Sequence, residues 1–398
     1  MILRKAFKYR MKTRTSDELL MKQFAGCCRF VWNKALALQK ERLDAGERTL
    51  GYNKMALLLP AWKTDHPFLN EAPSQALQQV LMNLDRAVKD AFDPKQPDKH
   101  FPTFKKKFVS RDSFRYPQGF RIEGPRVFLP KLGWISFRRS RPVEGTPRNI
   151  TVSRKGAHWF VSIQTETEVS EPVHPSESMV GIDRGVTRFA TLSNGTFHEP
   201  LHAFRKMELK LAREQRKLAR KTKRSKNWQK QKERITRLHI RTADMRNDYL
   251  HKLSTAISKN HAVVVLEDLK VKDMSASARG TSAVPGKNVN QKSGLNKSIL
   301  DQGWGNFRLY LEYKQAQRGG WVLYINPAYT SQTCSGCGHI HPGNRKNQSD
   351  FVCLSCGLET NADLNAAINI SRAGHARLAC QANGASMPSA TGTSRMAA

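Results

Sequence analysis

Long apolar runs are missing from this chain of 398 residues. Ala262–Leu266 is among the longest, far short of the roughly eighteen residues that a membrane-spanning helix needs. Met1–Thr13 is basic and has neither an apolar core nor a small-residue cleavage site, so no secretory signal is expected. Acidic residues are scarce as well: 33 Asp plus Glu stand against 67 Lys plus Arg, a formal net charge of +34. Such an excess destabilises a compact state unless a polyanion neutralises it, and nucleic acid is the commonest one. Cysteine is sparse too. There are seven, four of them in two C-x-x-C pairs, which suits a reducing compartment and a metal site better than a disulfide framework. The chain reads as a cytosolic, nucleic-acid-facing protein, with room for two or three domains that each bury a core.

What is present changes its periodicity along the chain. Met1 to about Thr13 reads as one strand, with Ile2, Arg4, Ala6, Tyr9 and Met11 among basic residues. Asp17 is placed to cap a helix over Leu19–Leu43, where Leu20, Phe24, Cys28, Phe30, Val31, Ala35 and Leu38 recur at three- and four-residue steps. A second helix is expected over Tyr52–Trp62, ending near Pro60. A third is expected over Ser74–Ala91, with a stripe of Leu77, Val80, Leu81, Leu84 and Val88. From Phe101 to Val169 the period falls towards two, and short apolar runs punctuated by Gly, Pro and Asn predict an antiparallel barrel or sandwich. Glu171–Glu177 reads as a linker.

A further domain begins at Met179, with a strand over Met179–Asp183 and a hairpin turning at Ser193-Asn194-Gly195. Leu201–Lys259 is helical and very basic; Arg205–Arg241 holds sixteen Lys or Arg against three Glu. Then come a buried strand (Ala262–Glu267), a mobile loop over Ser275–Ser298, a helix (Trp304–Gln317) and a strand (Trp321–Ile325). A cysteine-rich segment precedes a last short helix from Asn361, and the small-residue tail after Gly374 is expected to be disordered.

Cys334-x-x-Cys337 and Cys353-x-x-Cys356, fifteen residues apart, have the spacing of a four-thiolate zinc ribbon. Two intervening residues let a tight knuckle hold both sulfurs about 2.3 Å from one ion. Gly338 and Gly357 supply the positive φ such a knuckle favours. Four thiolates leave no open coordination position, so the zinc is structural.

Three carboxylates stand where a cleft nuclease needs them. Asp183 closes the strand Val180-Gly181-Ile182-Asp183, Glu267 closes Val263-Val264-Val265-Leu266-Glu267, and Asp363 lies in the first turn of the helix Ala362–Ile370. Carboxylates closing buried strands face the crevice at the sheet's C-terminal edge, where ligands bind. Three converging acids repel one another unless cations neutralise them, which implies divalent metal. An ordinary turn or first-turn charge explains each residue equally well when taken alone. Asp268 competes with Glu267, because neighbours on a strand point to opposite faces.

Gly181-Ile182-Asp183-Arg184-Gly185, Val265-Leu266-Glu267-Asp268-Leu269, Tyr329-Thr330-Ser331-Gln332-Thr333-Cys334 and Asn361-Ala362-Asp363-Leu364-Asn365-Ala366-Ala367 together resemble the TnpB family. These are transposon-encoded, RNA-guided DNA endonucleases related to the ancestors of type V CRISPR effectors. Arg29-Phe30-Val31-Trp32-Asn33, Pro73-Ser74-Gln75-Ala76-Leu77-Gln78-Gln79 and Leu129-Pro130-Lys131-Leu132-Gly133 extend the likeness through the N-terminal half. The resemblance implies a multidomain α+β protein. A wedge β-barrel (1–13 and 101–172) would contain an inserted helical recognition region (14–100). A RuvC-like nuclease domain of RNase H fold (173–328 and 359–373) would contain an inserted zinc ribbon (329–358), with a disordered tail at 374–398. It implies catalytic roles for Asp183, Glu267 and Asp363, and so Glu267 rather than Asp268.

The resemblance further implies a guide RNA derived from the transposon end, a double-stranded DNA target with its displaced strand, and a prokaryotic cytosolic, nucleoid-associated location. Two Mg²⁺ ions held by the triad, and bridged by Asp183, would activate water and stabilise the leaving oxygen, alongside one structural Zn²⁺. Tyr52, Gln75 and Gln79 are the residues expected to read a short motif flanking the target, since Gln makes bidentate contacts to adenine. Three rivals remain at this point, one of them a plain zinc-ribbon transcription factor, which leaves the long basic helices and Asp183 unexplained. A strand-transfer transposase usually ends its triad in Glu, whereas the last member here is Asp363. A nuclease-inactive RNA-guided repressor does not need an intact triad.

Overall fold

The computed structural model describes residues 1–107 and 109–382. The chain divides into two compact units, 1–169 and 170 onward. Among the described residues no helix is long and apolar enough to cross a membrane.

The first unit begins with β1 (Ile2–Lys12), followed by α1 (Thr15–Asp44), α2 (Tyr52–Leu57), α3 (Leu59–Asp65) and α4 (Ser74–Phe92). Six strands complete it: β2 (Ser113–Tyr116), β3 (Arg121–Glu123), β4 (Arg126–Leu129), β5 (Gly133–Phe137), β6 (Thr146–Lys155) and β7 (His158–Glu168). All pair antiparallel in one sheet of order β2-β6-β7-β1-β5-β4-β3, so the first strand in sequence lies at its centre. Phe7, Tyr9 and Met11 are buried while Ile2 stays exposed, which places the inward face of β1 one residue out of phase with the Ile2, Arg4, Ala6 set.

Local expectations shift at two helix ends. α1 starts at Thr15, and Asp17 acts from its third position, where its carboxylate accepts the Arg14 backbone N–H at 2.9 Å. Pro60 does not end a helix: it opens α3, where a missing N–H costs nothing. The predicted stripe of α4 is buried throughout.

The second unit is built on β8 (Met179–Asp183), β9 (Ala190–Leu192) and β10 (Phe197–His198), then the basic hairpin of α5 (Ala203–Ala219) and α6 (Lys226–Asn260). β11 (Val263–Glu267), α7 (Val271–Met274), α8 (Val289–Gln302), α9 (Trp304–Ala316) and β12 (Trp321–Ile325) follow. The cysteine-rich segment contains β13 (Asp350–Val352) and β14 (Glu359–Asn361) and leads into α10 (Ala362–Ala382). The sheet order is β10-β9-β8-β11-β12, with β8, β11 and β12 parallel. This is a mixed α/β layer structure.

One face of this sheet, through Val180, Ile182, Val264 and Leu266, packs on Leu250, Leu253 and Ile257 of α6 and on Phe307 and Leu311 of α9. The other face, through Val265 and Ile325, meets Ile370 and Ala373 of α10. α10 lies very close. A β-carbon at Gly181 would collide with the Ala367 carbonyl and the Ser371 amide, and one at Gly374 would collide with the Val265 side chain.

Two expectations are corrected here. Part of the predicted 275–298 loop is helical, because Ile299 and Gln302 anchor α8 in the core while its Gly, Ser and Lys residues face outward. The last helix is long, running to Ala382, so the expected tail does not begin at Gly374. Residues 383–398 of that tail lie outside the described residues.

Gly181→Ala should therefore lower stability by about 1–3 kcal/mol through overpacking against α10. Gly294→Ala, in α8 with no atom within 4 Å of the added carbon, should be neutral or stabilising by up to about 1 kcal/mol. Denaturant midpoints of the two variants measure both, and equal midpoints would refute the close helix–strand approach.

Candidate active site and metal centre

Strand alternation places the carboxylates. Gly181 faces α10, so Asp183, two residues on, points to the same side. Val265 also packs on the α10 side, and so Glu267 joins them. Leu266 pairs with Ile182 in register, which sets Glu267 and Asp183 side by side at the ends of neighbouring parallel strands. Asp268 turns away, exposed, and accepts a hydrogen bond from Arg308 Nη1 on α9 at 2.8 Å.

Asp363 reaches the same edge from the first turn of α10. Asn361 caps that helix, its Oδ1 accepting from Asp363 N at 3.1 Å and Leu364 N at 3.3 Å. Arg188 Nη1 donates to the same Oδ1 at 3.2 Å and braces the cap.

The electrostatics of the three acids agree with their convergence. Burial, then the charges of Glu267 and Asp363, push the Asp183 carboxyl up to about 7. Burial raises Glu267, opposed by the Thr330 hydroxyl, which donates to its Oε1 at 2.6 Å, and by Arg184. Burial raises Asp363, opposed by Arg345 and Arg188. Arg345 Nη2 lies 3.7 Å from Asp363 Oδ1, and its charge also acts on Asp183. Arg184 is buried behind the edge and donates to the Glu267 carbonyl. Three desolvated carboxylates offer the hard oxygen donors that Mg²⁺ takes, although among the described residues their oxygens do not all lie within 4.8 Å of one another.

Sequence reasoning had no means of finding Arg345, which is distant in the chain and carries no motif. Thr330 and Arg184 sit inside stretches already singled out, so their positions were visible and their roles were not.

The cysteines form the one cluster, among the described residues, whose ligand atoms all lie within 4.8 Å of one another. The Cys334–Cys356 and Cys337–Cys353 sulfurs are each 3.6 Å apart. Tetrahedral zinc with bonds of about 2.3 Å requires sulfurs roughly 3.8 Å apart, so the set fits that ion. Amides of Gly336, Ser355 and Cys356 point at the Cys334 and Cys353 sulfurs at 3.3–3.4 Å. Gly338 and Gly357 take φ of +80° and +72°.

A ladder of asparagines fastens this ribbon to α10. Asn365 Oδ1 accepts the Ser335 amide at 2.8 Å, and its Nδ2 donates to Thr333 O at 2.8 Å. Asn369 Nδ2 donates to Thr330 O at 3.0 Å and to Thr333 O at 2.7 Å. Arg372 adds a bond to Ser335 O. Spacing of four residues puts Asn365 and Asn369 on one face of α10, below the Asn361 cap.

The remaining predicted residues belong to the first unit. Gln75 and Gln79 sit one turn apart on α4, against which α2, headed by Tyr52, packs. Gln75 Oε1 is buried without a partner, and Gln79 Nε2 bonds Met82 Sδ at 3.1 Å.

Comparison with known proteins gives three family matches. Residues 162–278 match a model described as a probable transposase, 304–370 a Cas12f1-like TNB domain, and 1–48 a helix-turn-helix domain. The last stretch here forms β1 and the single long α1. The chain is 54% identical over 379 residues to InsQ of Escherichia coli (strain K12), covering 94% of this chain and 93% of that protein; InsQ is provisionally named an RNA-guided DNA endonuclease. A Streptomyces pristinaespiralis protein with the same provisional description is 33% identical over 387 residues, 95% of this chain and 91% of its own. The CRISPR-associated endodeoxyribonuclease Cas12f1 of Sulfoacidibacillus thermotolerans is 49% identical over 71 residues, 17% of each chain.

Asn365 is fully buried, so Asn365→Ala leaves the Ser335 amide without its acceptor and takes from the Thr333 carbonyl one of its two donors, Asn369 remaining. The expected loss is about 1–3 kcal/mol, seen as a lowered denaturant midpoint with unchanged slope. An unchanged midpoint would show that the ribbon is not fastened this way.

Proposed function

This chain belongs to the TnpB family of transposon-encoded, RNA-guided DNA endonucleases, and on that premise we propose that it hydrolyses DNA at the edge where Asp183, Glu267 and Asp363 meet. The observation that carries the reading is the convergence of those three raised carboxylates from two parallel strands and one helix. The second unit is then a RuvC-like domain of RNase H fold interrupted by a zinc ribbon. The first is a wedge barrel with a helical recognition region inserted after its first strand.

Asp183, Glu267 and Asp363 would hold two Mg²⁺ ions, and Cys334, Cys337, Cys353 and Cys356 one Zn²⁺. When bound, the magnesium pair supplies Lewis acidity to the phosphodiester and water of lowered pKa. The chain's own residues prepare that site. Thr330 fixes the rotamer of Glu267 through one carboxylate oxygen. Asn361 and Arg188 hold the first turn of α10, and so Asp363, in place. Arg345 offsets the negative charge of the triad and presents a guanidinium where a phosphate arrives. Buried Arg184 supports the end of β11 from behind.

Specificity in this reading comes from base pairing between a transposon-derived guide RNA and the DNA target. The +34 charge supplies affinity that does not depend on sequence. The exposed basic residues of α5 and α6 track phosphates, while Tyr52, Gln75 and Gln79 read the flanking motif.

Asp183→Ala, Glu267→Ala and Asp363→Ala should each reduce cleavage of guide-matched DNA to background in Mg²⁺ while binding persists. Asp268→Ala, on the α9 side, should keep substantial activity. A cleaving Asp183→Ala, or an Asp268→Ala as inactive as Glu267→Ala, would sink the assignment. Elemental analysis should find one zinc per chain, lost in Cys353→Ser. Zinc-thiolate binding is worth about 10–16 kcal/mol in small domains, so that variant should also lose cleavage through the slackened base of α10. Full cleavage without zinc would disprove the coupling.

A further inference from the structure

An aromatic pair, one ring exposed and one half-buried, lies on the outer face of the first unit's sheet. Along β4 and β5, Val127, Leu129, Ile135 and Phe137 point inward and are buried. Phe128 and Trp134 point outward, and Trp134 is 40% exposed. Register aligns Arg121 of β3, Phe128 of β4 and Trp134 of β5 in one row across the strands. Arg126, Ser136 and Lys12 of β1 form the next row. The two rings stand 5.6 Å apart. The Arg121 guanidinium lies 4.9 Å from the Phe128 centroid, and that of Arg126 lies 5.4 Å from Trp134. Glu123 pairs with Arg126 at 3.7 Å, but both are well exposed, so this contact holds the arginine weakly.

An exposed indole backed by a second ring and flanked by cations is what a nucleobase and its phosphate require together. The ring face stacks any base, and the guanidiniums and the lysine neutralise the backbone on either side. Duplex DNA keeps its bases inside the stack and a displaced strand exposes them only once a target is opened, whereas folded RNA presents unpaired loop and bulge bases continuously. We propose that Phe128 and Trp134 form a stacking platform for an unpaired base of the guide RNA, with Arg121, Arg126 and Lys12 holding the adjacent phosphates. This rests on the RNA-guided reading above.

The test uses the full chain with the RNA that co-purifies with it. Ultraviolet crosslinking of that complex should map an RNA adduct to residues 121–137. Trp134→Ala should weaken affinity for the same RNA about 5- to 150-fold, while Trp134→Tyr, which keeps a ring, should retain most of it. Arg121→Gln with Arg126→Gln should reduce the slope of log affinity against log salt by about 1–2. Wild-type affinity in Trp134→Ala would overturn the platform. So would a loss confined to single-stranded DNA of the same sequence, or a change only in oligomeric state, which would assign the surface to a DNA strand or to a protein partner. Wild-type preparations devoid of RNA would instead overturn the RNA-guided reading itself.

Discussion

The contact on which the second unit depends is the one between α10 and the sheet beneath it. Helix backbone meets strand backbone at Gly181, and strand side chain meets helix backbone at Gly374. No side chain larger than hydrogen fits at either place. That closeness brings Asp363 to the end of strands that carry Asp183 and Glu267, two residues beyond the points of contact. A looser packing would spread the three acids apart, and the burial that raises all three, with the neighbouring charges that add to it at Asp183, would relax with it.

The ribbon is tied to the same helix for a related reason. Its own apolar core is small, consisting of Cys334, Phe351, Cys353 and Ala362 with Leu358 against them. So few buried groups do not order thirty residues unaided. Thiolates suited to zinc and the Asn365 and Asn369 bonds to ribbon backbone supply what the core lacks. The same ribbon contributes Thr330 and Arg345 to the carboxylate edge. Ribbon and edge are thus one mechanical assembly, in which the polar ladder is satisfied on both sides and fixes a single register of helix on knuckle.

Charge makes the opposite demand elsewhere. The carboxylate edge concentrates negative charge in a chain with twice as many basic residues as acidic ones. The hairpin of α5 and α6 buries little besides Ala203, Leu211, Ile235 and the end of α6 that joins the core. Its outer surface is mostly Lys and Arg, which repel one another until a polyanion is bound. Guide RNA and target DNA are such polyanions, and their phosphates would serve the fold as well as the chemistry.

Much of this was legible in one dimension. The strands Met179–Asp183 and Trp321–Ile325, the buried stripe of α4, the C-x-x-C knuckles and the carboxylates closing their strands all follow from local period and spacing, which depend on near neighbours in the chain. Expectations failed where tertiary contact overrode local signal: at Pro60, which starts a helix; at 289–302, where a core anchor makes a helix of polar sequence; and after Gly374, where packing on Val265 prolongs α10. Alternation alone told that Glu267 and Asp268 face opposite ways. Which of them faces the cleft was decided by Val265 and Gly181 lying under α10. Arg345, the Asn365 bond to Ser335 and the outward row of Arg121, Phe128 and Trp134 join residues through strand register and helix docking. Those are long-range relations set by the whole core, and no window of sequence contains them.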